Sequence, residues 1–138
     1  MDAVQIFFGA GGIKQIYEMS LQAENVDVVC LSNEYSRIIG DYFDKNYGPK
    51  LFSNQKIKTR EILPDTKENR ESAKEKDKLK NQVKFIKLTQ KSESDYILFD
   101  DKVALISYNQ KSPFACLVTD QDLVTNLKMQ FENLWERL

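Results

Sequence analysis

The chain has 138 residues, 41% apolar and 30% charged, with 20 basic side chains against 21 acidic ones and a formal charge of −1. That is the length of one domain, with apolar content for a core that needs no disulfide or metal, and the balanced charge excludes a surface basic enough to coat nucleic acid. It contains no histidine, which excludes imidazole base catalysis, phosphohistidine chemistry and nearly every zinc-enzyme ligand set.

Two cysteines, Cys30 and Cys116, each sit in an apolar run and read as small buried hydrophobes. No signal peptide is visible, and no apolar stretch approaches the ~20 residues of a membrane span. Residues 1–138 are therefore expected to form a single cytoplasmic domain with no membrane contact, no cofactor and no metal.

In chain order, Val4 to Phe8 reads as a strand ended by Gly9-Ala10-Gly11-Gly12. Ile13, Ile16, Tyr17 and Leu21 then recur at helical spacing, predicting a helix from Gly12 to Glu24. Val26 to Leu31 is nearly all apolar and suits a central strand covered on both faces. Ser32 or Asn33 can cap the next helix, whose stripe is Tyr35, Ile38, Ile39, Tyr42, Phe43 and Tyr47, and Gly48-Pro49 ends it. Lys56 to Leu63 reads as a third strand stopped by Pro64.

Residues 65–82 are almost wholly charged or polar, with only Ala73 and Leu79 apolar. Opposite charges at i,i+3 and i,i+4 favour a weakly held solvated helix. A mobile excursion and a basic nucleic-acid helix are the alternatives, and the interleaved acids count against the last. Val83, Phe85 and Leu88 then alternate as a strand, followed by Tyr96–Phe99, Val103–Tyr108 and Phe114–Thr119. Asp100-Asp101 and residues 109–113 make the turns of an antiparallel meander. Asp120 or Asp122 caps a closing helix with the stripe Leu123, Leu127, Phe131, Leu134, Trp135 and Leu138. The order βαβαβ, then a polar helix, four strands and a last helix, is α/β with a mixed sheet.

No motif for chemistry stands out. Gly9-Ala10-Gly11-Gly12 matches neither dinucleotide nor Walker spacing and reads as a tight strand-to-helix turn. Asp100-Asp101, with Glu93 and Asp95 near, reads as a hairpin turn before it reads as a metal cluster. Ser32, Ser36, Ser53 and Ser107 have no histidine to activate them. No catalytic residue is assigned. Open α/β sheets form crevices at strand ends, so the polar groups Ser32, Asp95, Ser107 and Asn109 are the candidate ligand-binding residues. The acids Glu93 and Asp95 favour a cation or a polyol over a phosphate. Two apolar helical stripes exceed what one core needs, and Trp135 is the candidate anchor of a dimer.

Three features together resemble a known family: Gly9-x-Gly-Gly-Ile-Lys-x-Ile-Tyr17 after the first strand, the hairpin Tyr96-Ile-Leu-Phe-Asp-Asp-Lys-Val-Ala-Leu-Ile-Ser107, and Phe131-Glu-Asn-Leu-Trp135-Glu at the end. Over residues 4–138 the chain resembles the C-terminal effector domain of TrmB-type transcriptional regulators. The resemblance implies a phospholipase D-like half and a homodimer in which a second copy supplies the other half. The phospholipase D signature is His-x-Lys-x4-Asp-x6-Gly-Ser. Laid on the hairpin, it puts Glu93 and Asp95 at the His and Lys positions, Asp100 at the Asp, and Ser107 and Tyr108 at the Gly and Ser. With acids replacing nucleophile and lysine, the resemblance implies the fold without the activity. TrmB-type regulators reach DNA through an N-terminal winged helix, and none is expected within residues 1–138. The expected function is a non-catalytic effector or dimerisation domain of a transcriptional regulator. The rivals are a stand-alone protein-interaction module and a divergent phosphodiesterase using Glu93, Asp95 and Asp100.

Overall fold

The computed structural model describes residues 2–32 and 35–138. The elements are β1 (Val4–Phe8), α1 (Gly9–Ser20), β2 (Asn25–Cys30), α2 (Ser36–Ile39), a π-helical turn (Phe43–Tyr47), α3 (Gly48–Ser53), β3 (Lys58–Pro64), α4 (Lys67–Lys74), β4 (Asn81–Ile86), β5 (Ser94–Phe99), β6 (Lys102–Ser107), β7 (Phe114–Val118) and α5 (Gln121–Arg137). Among the described residues no helix is long and apolar enough to cross a membrane.

The strands make one mixed sheet in the order β1-β7-β6-β5-β2-β3-β4, the α/β mixed-sheet class that the sequence implies. β2, β3 and β4 run parallel, while β5, β6 and β7 form the expected antiparallel meander. Two placements differ from expectation. β4 pairs parallel with β3 rather than with the meander. β1 does not lie in a βαβ unit with β2 but pairs antiparallel with β7 at the sheet's edge. A strand's own pattern says which face is apolar, not which neighbour it takes.

The helices also depart in detail. α1 begins at Gly9, so the glycine run is the helix's first turn rather than a loop before it. A Cβ on Gly12 would lie 2.7 Å from the Phe7 carbonyl carbon, so only glycine lets α1 close onto β1. The stripe from Tyr35 to Tyr47 is not one helix. Gly40, at φ +61°, breaks it after α2. Gly48-Pro49 then starts α3 instead of ending a helix, since proline fits a first turn whose N–H groups need no partner. Tyr35 is the N-cap residue of α2, so Ser32 does not cap it; the alternative cap, Asn33, lies outside the described residues. In α5, Asp120 is the cap, its carboxylate accepting from the Leu123 N–H at 3.0 Å.

Period-two alternation sends the strands' side chains into two cores. One face carries Val26, Val28, Ile97 and Ile106 under α1, the π-helical turn and α3. The other carries Val29, Ile62, Leu98, Val103 and Val118 under Val124, Phe131 and Trp135 of α5. β2 is thus covered on both faces, as its composition requires. Arg60 ties α5 down: it donates to Asp27 (2.8 and 2.9 Å) and to Glu132, and lies 4.9 Å over the Phe131 ring.

The charged segment behaves unlike its composition. α4 is solvated, with no buried residue, as expected. Beyond it, though, Lys76 and Lys80 turn in and the leucine stays out. Leu79 is 92% exposed. Lys80 is buried, its ammonium donating to the carbonyls of Leu51 (3.1 Å) and Ile57 (2.5 Å) and to Asn81 Oδ1 (3.1 Å). Lys76 reaches Glu61 Oε1 at 2.5 Å. The Lys76 ammonium also lies 4.3 Å over the Phe52 ring of α3.

Candidate functional site

The carboxyl ends of the parallel strands β2 and β3 open into a cavity of about 540 Å³. This is where open α/β sheets place ligands. The floor is the sheet: Val28, Cys30 and Ser32 from β2 and its end, Glu61 and Leu63 from β3, and Asp95 from β5. Tyr17, Tyr35, Phe43 and Phe52 give aromatic walls, and Ser72, Glu75 and Lys76 close the side below α4.

Register explains which side chains meet. Asp95 pairs with Cys30 on one side and Ile106 on the other. Residues directly opposite share a face, so Asp95 and Cys30 point the same way, and Tyr108, two beyond Ile106, continues that face. Asp95 is buried and accepts from the Ser32 N–H at 2.9 Å and the Cys30 thiol at 3.4 Å. The Tyr108 hydroxyl lies near enough to draw the Asp95 carboxyl down. Tyr108 in turn shares a hydrogen bond with the Tyr17 hydroxyl. Either tyrosine hydroxyl can be the donor in that bond.

Burial dominates the electrostatics. It pushes the Asp95 carboxyl up to about 6, against the pull of its hydrogen-bond donors. It holds the Cys30 thiol well above its ordinary range, with the Asp95 charge adding to the effect. Cys30 is therefore a thiol at neutral pH and a poor nucleophile. Tyr17 and Tyr108 are likewise raised, chiefly by burial, and serve as neutral donors.

The four candidate ligand residues divide into two pairs. Ser32 and Asp95 meet in the cavity. Ser107 and Asn109 line a separate, shallower depression with Arg37, Lys91 and Glu93. Ser107 pairs with Ser94, one residue from Asp95, and so faces the other way. Asn109 Oδ1 is taken by the Lys111 N–H at 3.0 Å. Trp135 is 9% exposed and stacked on Phe131 at 5.9 Å, within its own domain's core. Glu93, Asp95 and Asp100 do not converge: Asp95 begins β5, and Asp100 lies in the turn that follows its end, where its carboxylate accepts from the Glu24 N–H at 3.1 Å. Among the described residues no three of Cys, Asp and Glu stand together as metal ligands.

Neither a protein-family model nor a curated protein matches the chain. Its fold is related to that of TrmBL2. TrmBL2 is an archaeal chromatin protein whose structure shows a novel mode of DNA binding; the TM-score is 0.65 at 14% identity, over 99% of this chain and 54% of that one. The chain thus spans about half the length of TrmBL2. NucT from Helicobacter pylori is also similar, with a TM-score of 0.61 at 11% identity over 96% of this chain and 95% of that one. At these identities the likeness is one of fold.

Sequence reading missed Glu61, Lys76, Tyr17 and Tyr108 as site residues. Glu61 carried a signal: it stands inside a strand directly before the apolar Ile62 and Leu63. Lys76 carried none, because nothing local distinguishes it from the lysines around it.

Proposed function

We propose that the chain is a non-catalytic effector and dimerisation domain of a transcriptional regulator, built on a phospholipase D-like half whose signature has been lost. The whole-chain fold likeness to TrmBL2 carries this reading. The site's chemistry supports it. Where the signature would place a nucleophile and a phosphate-binding lysine stand Glu93 and Asp95, and Asp100 is committed to a turn. Among the described lining residues four carboxylates, Asp44, Glu61, Glu75 and Asp95, face one ammonium, Lys76. Such a cavity repels a phosphodiester and suits a cation or a polyol. In this reading residues 1–138 make no DNA contact of their own, which TrmB-type regulators leave to a winged helix.

The proposed homodimer would use the β1 edge. Val4 and Ile6 are 45% exposed and Phe8 is 74% exposed, all on one side of β1. Leu105, two strands in, continues this uncovered patch. β1 pairs on one side only. Antiparallel pairing with a second copy about Ile6 would set Val4 against Phe8 and bury an edge that is otherwise an aggregation hazard.

The test is turnover of bis(4-nitrophenyl) phosphate with magnesium, manganese or zinc. None is expected; turnover that Asp95→Asn or Asp100→Ala abolishes would overturn the reading in favour of a hydrolase.

A further inference from the structure

We propose that the cavity binds a linear diammonium compound, a diamine or polyamine, with one ammonium on Glu61 and the other at Asp95. This deepens the effector reading by naming the ligand class of the same cavity. Glu61 and Asp95 are 4% and 3% exposed, and both line the cavity. Glu61 pairs with Val28 and Asp95 with Cys30, so the two carboxylates stand on one sheet face. They are two strands apart and offset by two residues, roughly 12 Å between Cα atoms by ordinary sheet spacing. Side chains from both ends shorten that gap to the span of a short alkyl chain.

The protein already binds an ammonium there. Lys76 Nζ lies 2.5 Å from Glu61 Oε1 and 4.3 Å over the Phe52 ring. A carboxylate beside an aromatic face is the chemistry that recognises an amine. The second oxygen of Glu61 accepts no hydrogen bond among the described residues. Among the described residues Asp95, by contrast, is met by neutral donors, the Ser32 N–H and the Cys30 thiol, and no ammonium reaches it. One half of the site is therefore filled by a tethered amine and the other half waits for one. A volume of about 540 Å³ admits a small ligand. Lys76, which follows α4 closely, acts as an internal competitor, and a ligand that displaces it frees the α4 segment from the sheet.

Calorimetric titration with putrescine, cadaverine and spermidine tests this, with n-pentylamine, erythritol and inorganic phosphate as controls at constant ionic strength. Cadaverine is expected to bind about tenfold or more tighter than n-pentylamine, the advantage of a second close charge pair. Glu61→Gln and Asp95→Asn should each abolish that advantage. Lys76→Met should tighten cadaverine binding, because the competitor is gone. Equal affinity for diamine and monoamine, or weaker cadaverine binding to Lys76→Met, would overturn the proposal. Binding of erythritol without any amine would also overturn it while leaving the effector reading intact. Should Lys76→Met not fold, the wild-type comparison and Asp95→Asn decide.

Discussion

Glu61 on β3 and Lys76 beyond α4 form a buried ion pair, with side chains 5% and 12% exposed and 2.5 Å between Oε1 and Nζ. The pair converts a hydrophilic excursion into a wall of the cavity. Its ammonium also neutralises one of the two carboxylates that the cavity keeps from water.

Breaking this pair from one side strands a buried charge. Lys76→Ala is expected to lower unfolding free energy by about 3 kcal/mol, measured by urea denaturation. The double variant Lys76→Met, Glu61→Leu should recover most of that loss, since removing both charges leaves nothing uncompensated. A Lys76→Ala variant as stable as the wild type would mean that the α4 segment is not docked.

Asp95 gives a pH signature. Its folded-state value of about 6 lies above the ordinary 3.8, so the folded protein holds this proton more tightly than the unfolded chain. The stability it contributes is fully present below about pH 4 and is lost as pH rises through about 6. Two pH units at about 1.36 kcal/mol each come to about 3 kcal/mol. Asp95→Asn, which does not titrate, should gain about that much on the wild type between roughly pH 4 and pH 7. Parallel stability curves for the two proteins would show that Asp95 is not buried as described.

The glycine run separates packing from propensity. Gly12→Ala would push a methyl against the Phe7 backbone at 2.7 Å and is expected to cost about 2 kcal/mol or more as overpacking. Gly11, in the same helix, has nothing within 4 Å of such a methyl. Gly11→Ala should stabilise by about 0.5–1 kcal/mol through helix propensity. Thermal melts of the pair check both signs at once.

The elements legible in the sequence were those set by local pattern. β2 showed as a nearly continuous apolar run, the meander as short runs between polar turns, and α5 as a stripe opened by Asp120 or Asp122. What was not legible depends on contacts distant in sequence. β1 joins β7, whose register Val4–Val118 no local pattern encodes. Lys76 and Lys80 turn inward because a carboxylate of β3, a carbonyl of α3 and the Ile57 carbonyl before β3 wait for them. At the site, Ser32 and Asp95 were found because strand ends collect polar groups. Ser107 is another polar group near a strand end, yet the pleat turns it to the other face.

The most direct measurement of the central claim, a regulator's assembling effector domain, is sedimentation equilibrium on the wild type and on Ile6→Lys. Ile6 is 45% exposed in the single chain, so lysine there leaves the fold intact and sets two like charges face to face on the two-fold axis. A wild-type dimer and a folded Ile6→Lys monomer are expected. A wild type that stays monomeric at high micromolar concentration, or an Ile6→Lys variant that dimerises as the wild type does, would contradict it.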